Sequence, residues 1–294
     1  MLSLTYQDMK IALTGAGGMI GQSLIAYFSK PGVECSVLKR NGTQQEWSRT
    51  VSESDVVINL AGYPILSRWT RKNRERILES RIGTTRKLVE ILNALSDDSA
   101  PKLLVSASAT GIYPNDNQWV YDEYSKEKGN DFLAEVVEKW ENTAKQLHHP
   151  SVRLVLARLG IVLSREGGFV KKLVPLFRMG LGGRLGSGKQ KVSFIHIGDL
   201  LAAIQFFMDD EQASGVFNLV ASEPVTNREL TRILAQVLKR PAFWIVPSWT
   251  LRLLLGKAAA VLLNSTSCVP RRLTERSFHF QFPTLQEALK DVSV

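Results

Sequence analysis

Cysteine is scarce in this chain. Cys35 and Cys268 stand far apart in sequence, one of them in an apolar run, which excludes a disulfide framework and a cysteine-based zinc site. A reduced, cytoplasmic location is therefore expected. Histidine is scarce too: His148, His149, His196 and His279 show no metal-ligand spacing, so no metal is expected. Long apolar runs are missing. The most apolar late stretch, "AFWIVPSWTLRLLLGKAAAVLL", is broken by Pro247, Arg252 and Lys257, and no charge-free run reaches the roughly 18 residues of a spanning helix. The opening "MLSLTYQDMKIALTG" has no basic segment followed by a long apolar one, so no signal peptide is expected. No internal repeat or low-complexity tract is present.

Acid is the minority charge, 28 Asp and Glu against 37 Lys and Arg, for a net +9. That balance favours anionic partners without naming one. The densest basic segment, from Arg68 to Lys87, mixes in Glu75 and Glu79 and carries Ile77, Leu78 and Ile82 at helical spacing. This is the pattern of a solvated helix face, so neither nucleic acid nor membrane is the expected partner. Trp244, Trp249, Leu251, Leu254, Leu255 and Leu262 could form a sticky helix. Core packing or a subunit interface explains that stripe more simply than membrane contact. The oligomeric state stays open.

What is present is a chain of 294 residues, 44% hydrophobic, enough for one large domain or two modest ones. "KIALTG" (10–15), "CSVLKR" (35–40), "DVVINLAG" (55–62), "KLLVSASA" (102–109) and "RLVLARLGIVL" (153–163) read as buried strands. Between them lie helical patterns: "MIGQSLIAYFS", the basic segment running to about Leu95, and "DFLAEVVEKWENTAKQL". Strand and helix in alternation predict an α/β doubly wound parallel sheet, a Rossmann plan. From Gly167 the pattern loosens. "GGFVKKLVPLFRMG" and "GDLLAAIQFFMDD" look helical, "KVSFIHI" and "VFNLVAS" look like strands, and Thr226 and Glu229 stand in capping-box spacing. The expected organisation is a sheet domain over 9–165, to which later strands and helices can return, and a smaller C-terminal lobe over 166–294; the glycine turn described next makes the first an NADP-binding domain and leaves the second mainly to the substrate.

"LTGAGGMIGQSL" joins the first strand to the first helix, with Gly15, Gly18 and Gly21 three apart and Met19 and Ile20 between the last two. Glycine there lets backbone approach a pyrophosphate, and the helix N-terminus meets its charge. The second strand selects the dinucleotide. A carboxylate at its end would hold the ribose hydroxyls of NAD, but this strand ends in Lys39 and Arg40, which suit the 2′-phosphate of NADP.

With this glycine spacing and "NLAG" (59–62), the chain resembles the extended and atypical short-chain dehydrogenase/reductases. "SRIGTT", "SASATGIY", "GNDFLAEVVEKWE", "RLGIVLSREGG", "GLGGRLGSGKQ", "IHIGDL" and the C-terminal "RPAFWIVPSWTLRLLLG" to "FQFPTLQEAL" narrow the likeness. They are similar to an epimerase-family, sugar-nucleotide-epimerase-like branch with its own C-terminal segment. The resemblance implies that Leu60, Ala61 and Gly62 line the cofactor, that Arg81 lies near it, and that Val162 lies beside the nicotinamide. It also implies an acid/base tyrosine with a lysine one helical turn on, and a serine holding the substrate oxygen. Ser108 is the serine, with Ser106 behind it.

The tyrosine is harder to place. Tyr124 and Lys128 are four apart, but they precede the helix that should carry them. That helix offers Phe132 or Leu133 and Val136 or Val137 instead. Tyr113 is the other phenol near the expected cleft. "GRLGSGKQ" nearly spells a nucleotide-triphosphate loop, but Gln190 replaces the Mg²⁺-binding hydroxyl. As a flexible loop it is expected to carry Arg184 and Lys189 towards an anionic substrate. His196 with Asp199 is expected to fix a strand-to-helix corner. The sequence therefore reads as an NADP-dependent epimerase or oxidoreductase acting on a small carbonyl or hydroxyl compound, with a nucleotide sugar among the candidates. A non-catalytic NADP sensor is the alternative, and a nucleic-acid binder the third reading.

Overall fold

A computed structural model describes residues 8–293. The leader expectation rests on residues 1–15, of which 1–7 lie outside the described ones. Aliphatic runs largely buried make the central strands β1 (Met9–Thr14), β3 (Val56–Asn59), β4 (Leu103–Ala109) and β5 (Arg153–Leu159), whereas β2 (Val33–Val37), expected as a buried strand, is a sheet edge with no buried residue, because only β1 pairs with it. α1 (Met19–Phe28), α2 (Gln44–Ser52), α3 (Arg71–Ala94) and α4 (Phe132–Ala144) connect them. The sheet is wholly parallel, in the order β10-β5-β4-β3-β1-β2, where β10 (Gly215–Leu219) is a late strand returning to the edge of β5. Because the chain leaves β1 in one direction for β2 and in the other for β3, a crevice opens beyond the carboxyl ends of β1 and β3.

α2 is an element that the run of strands and helices above omits. Nine residues long, it is fixed by a Thr43–Glu46 capping box and by burying Trp47 and Val51. The run 153–163 is two strands rather than one. At Gly160 the chain turns out of the sheet and passes so close to Ser193 that a Cβ there would stand 2.7 Å from its carbonyl oxygen. β6 (Ile161–Leu163) then leads to α5 (Gly168–Arg178), β7 (Gly183–Leu185), β8 (Lys191–Val192), β9 (Phe194–His196) and α6 (Ile197–Asp209). "KVSFIHI" is likewise split at Ser193, whose hydroxyl donates to the Thr266 carbonyl oxygen at 3.0 Å and accepts the Cys268 N–H at 3.0 Å.

After β10 come β11 (Val225–Thr226), α7 (Asn227–Leu238), β12 (Trp244–Val246), α8 (Ser248–Leu255), α9 (Ala260–Leu263), α10 (Arg271–Glu275) and α11 (Leu285–Ser293). β6 pairs with β9, β7 with β12, and β8 with β11. Under these short pairings a second core gathers Val170, Phe177, Phe194, Leu230, Leu234 and Leu289. Two groups fasten the C-terminal segment to it. His196 Nδ1 accepts the Gly198 N–H, its Nε2 donates to Asp291 at 3.1 Å, and the ring lies on Phe282. Asp199 accepts the N–H groups of Gln281 and Phe282. The pair is a corner and a clasp, and burial pushes the imidazole below its ordinary range, keeping it neutral. Among the described residues no helix is long and apolar enough to cross a membrane.

Candidate functional site

The turn after β1 and the turn after β3 meet closely. Gly15 has φ +73°, and a Cβ on it would come within 2.7 Å of the Leu60 carbonyl oxygen. Gly21 packs the first turn of α1 on the same loop, where a Cβ would lie 2.7 Å from the Ala16 Cα. A buried chain of side chains holds the second turn. Thr14 Oγ1 accepts the Leu60 N–H and donates to Asn59 Oδ1, Asn59 Nδ2 donates to Thr85, and the Trp140 indole donates to that same Thr85 hydroxyl.

α2, α3, α4 and α7 are each capped by a side chain, from Thr43, Thr70, Asp131 and Thr226. α1 has Gly18 at its cap and no side-chain cap at all. Its first amides are left for an external acceptor. They face a cavity of about 470 Å³ lined by Gly15, Gly18, Met19, Ile20, Gly21, Leu60, Ala61, Gly62, Arg81, Ser108 and Val162. The structure thus brings together most of the residues that the sequence singles out. Ile65, Thr110, Phe169, Lys191, Asn227 and Asn264 also line the wall and carry no signal in one sequence.

Arg81 is the charged group deepest in this wall. Its Nη1 donates to the carbonyl oxygens of Tyr63 and Ile77, both at 3.1 Å, and its guanidinium lies over Trp140. No carboxylate pairs with it among the described ion pairs, and burial brings it down to about 10. It presses on Gly62, where a Cβ would lie 3.1 Å from Cζ. Lys39 and Arg40 are exposed beyond the end of β2 and do not line the cavity itself.

Ser108 lines the cavity at the end of β4 but is tied from behind. Its hydroxyl donates to Glu141 Oε1 at 2.7 Å, and Glu141 is clamped by Arg158 through Nε at 2.7 Å and Nη2 at 2.9 Å. Burial pushes the Glu141 carboxyl up, but the hydrogen bonds and charge of Arg158, together with Ser108 and Lys145, hold it below the ordinary carboxylate range. The Ser108 proton therefore points to Glu141, leaving its lone pairs for a donor in the cavity. Neither Glu141 nor Arg158 was foreseen. The available signal was Arg158 inside the apolar run "LVLARLG", since a charge in a buried strand needs a partner.

Tyr113 is buried with its hydroxyl turned away from the cavity. It receives Arg158 Nη1 at 2.9 Å and stands 2.9 Å from both Asn218 Oδ1 and the Asp122 carbonyl oxygen. Burial pushes its phenol well above the usual range, so at neutral pH it is a structural donor. Tyr124 and Lys128 lie in the loop before α4. The Tyr124 hydroxyl donates to Glu275 at 2.7 Å, and Lys128 pairs with Glu138 at 2.7 Å. Neither lines the cavity. Tyr124→Phe is expected to leave dinucleotide affinity unchanged within twofold and to change stability by less than about 0.5 kcal/mol, the scale of an exposed contact; fluorescence titration and urea unfolding check this. On the helix face where tyrosine and lysine would act, the cavity meets Leu133 and Val137.

Arg184 and Lys189 also lie outside the cavity. Gly183–Leu185 is a strand, and its alternation turns Leu185 inward and Arg184 to the opposite side, where Nη1 donates to the Ser187 carbonyl oxygen. Lys189 is exposed on the following turn, and the inward amine is Lys191.

The chain matches the NAD dependent epimerase/dehydratase family over residues 11–219 and a domain of unknown function, DUF1731, over 246–292. It is 36% identical to an epimerase family protein of Staphylococcus aureus, across 95% of this chain and 97% of that one. The crystal structure of human epimerase family protein SDR39U1 with NADPH superposes with a TM-score of 0.91 at 32% identity, over 97% of this chain and 99% of that one. A nucleoside-diphosphate sugar epimerase from Corynebacterium glutamicum gives 0.77 at 28% identity, over 98% of this chain and 58% of the other.

Proposed function

The chain belongs to the NAD dependent epimerase/dehydratase family, and from that premise we propose that it binds NADP and acts as an oxidoreductase or epimerase on a small carbonyl or hydroxyl compound. The observation that carries the reading is the glycine cradle: an uncapped α1 N-terminus, backbone too close at Gly15 and Gly21 for a side chain, and cations rather than a carboxylate after β2. These residues fit a phosphorylated dinucleotide. The α1 amides and Gly15 would hold the diphosphate, Lys39 and Arg40 the 2′-phosphate, Leu60 to Gly62 the sugar, and Arg81 and Val162 the walls beside it. The human relative solved with NADPH supports the choice.

Bound NADP would supply the hydride acceptor, or NADPH the donor. Ser108 would accept a hydrogen bond from the reacting hydroxyl, its direction fixed by Glu141. Leu133 and Val137 would exclude water where other enzymes of this plan place their proton carrier. Lys191 is the amine in the same wall, suited to an anionic substrate, and a nucleotide sugar is one candidate given the Corynebacterium relative. A cytoplasmic location belongs to the same proposal, supported by two unpaired cysteines. The apolar Leu133 and Val137 also favour a second reading, an NADP sensor without turnover.

Two measurements test this. Calorimetry should show NADPH bound more tightly than NADH, and Lys39→Ala with Arg40→Ala should reduce that preference about tenfold, the effect of roughly 1.4 kcal/mol. Absorbance at the nicotinamide band, with a panel of nucleotide sugars and carbonyl compounds, should show turnover. Tight NADPH binding with silence across the panel supports the sensor, and no binding of either form removes both readings.

A further inference from the structure

The late apolar stripe is divided between the interior and the surface. Of its residues Leu251 is buried and Leu262 lines the cavity, whereas Trp249 and Leu254 are each 66% exposed. Phe243, at 85%, just before β12, and Trp244, at 60%, at its start, are exposed as well. The Trp244 indole donates to the Gly180 carbonyl oxygen at 3.0 Å, bringing exposed Met179 and Leu181 beside it. The result is a cluster of exposed apolar side chains on β12, α8 and the turn after α5, where single exposed hydrophobic residues would need no explanation.

Cations border it. Between α7 and β12 a groove of about 660 Å³ is lined by Arg184, Arg228, Arg232, Lys239 and Arg240, together with Phe243 to Ile245, and by no carboxylate. On the other flank Arg252 and Lys257 are exposed, and Arg68 reaches the Leu253 carbonyl oxygen.

We propose that this face seats the protein on an anionic lipid bilayer, with Trp244, Trp249 and the leucines entering the boundary between headgroups and acyl chains and the arginines meeting lipid phosphates. Charge chooses the occupant. A second copy docked about a twofold axis would bring two such cationic grooves into one interface, with no carboxylate in either to answer them. Single-stranded nucleic acid would use the aromatic rings and the cations, but would leave Leu181, Leu253, Leu254 and Met179 with nothing to stack on. An anionic membrane surface satisfies both halves, as it does for amphipathic surfaces that lie in the interface plane.

The full chain is sedimented with vesicles of phosphatidylcholine alone and of phosphatidylcholine with roughly one-third phosphatidylglycerol, while tryptophan emission is followed. The expected result is binding at least about tenfold stronger to the anionic vesicles, with a blue shift, weakening as salt rises. Trp244→Ser with Trp249→Ser should abolish the shift, and Arg232→Glu with Arg240→Glu should remove the preference for anionic lipid. Both variants change exposed side chains and should keep wild-type NADPH affinity and thermal unfolding. Three outcomes overturn the proposal: equal, weak association with both vesicles; a concentration-dependent dimer that the tryptophan variant dissolves; or tighter binding to an oligonucleotide than to anionic vesicles.

Discussion

Alanine at Gly21 lowers NADPH affinity by about 10- to 100-fold, whereas alanine at Gly17 leaves it unchanged. A Cβ on Gly21 would lie 2.7 Å from the Ala16 Cα and 3.0 Å from the Gly15 carbonyl carbon. Both are backbone atoms of the turn that would hold the diphosphate, so no side chain can rotate aside. Either α1 retreats from the turn or the turn opens, and in each case the uncapped amides move relative to the cradle. Overpacking of this kind costs typically about 1–3 kcal/mol, which sets the range. Gly17 has nothing within 4 Å of its would-be Cβ and no positive φ, so it controls for glycine content. Calorimetry with NADPH gives the affinities, and thermal unfolding separates a lost cradle from a lost fold. A Gly21→Ala protein that binds as tightly as Gly17→Ala contradicts the assignment.

Glu141→Ala destabilises the fold by about 3–5 kcal/mol, the cost of breaking a buried ion pair from one side. The carboxylate is the hub of a set that includes Ser108 and the Nε–Nη2 edge of the Arg158 guanidinium. Its removal leaves Arg158 buried with only Tyr113 beside it. This does not make the pair a large net source of stability, because desolvating two charges offsets much of their attraction. Glu141→Gln keeps an acceptor for Ser108 and should fall between wild type and alanine. Urea unfolding measures the series, and a loss below about 1 kcal/mol for alanine shows that the network reorganises. The pH dependence follows from the same contact. The folded carboxyl lies below its ordinary value of 4.5, so its contribution is complete above that value and is lost as the pH falls through the folded one.

The parallel sheet and the cradle were legible because each rests on a local pattern: aliphatic runs of strand length, and glycines at fixed offsets between strand and helix. α2 was not legible, since its buried face has only Trp47 and Val51 among polar neighbours. The place of β10 depends on a pairing with β5 that no local pattern records. In the cavity, Ser108 could be found at a strand end, whereas Glu141 and Lys191 are brought in by tertiary contacts. The glycine-rich stretch around Arg184 has the composition of a loop, which would carry the arginine towards the cleft. Pairing of β7 with β12 makes it a strand, and strand alternation turns the arginine outwards. The late apolar stripe shows the same limit: its spacing identifies a face but does not say what covers Trp249 and Leu254, which are exposed, while Leu251 is buried.

The position of β10 bears on how the chain is made. A ribosome delivers β1 to β5 well before Gly215–Leu219, so a nascent sheet would carry β5 as an open edge, with Arg158 still lacking the Asn218 that completes the Tyr113 network. An unpaired edge of that kind invites association with other chains. Newly synthesised protein should therefore depend on chaperone shelter most strongly while the segment between β5 and β10 is emerging, and a release from that dependence should coincide with arrival of β10.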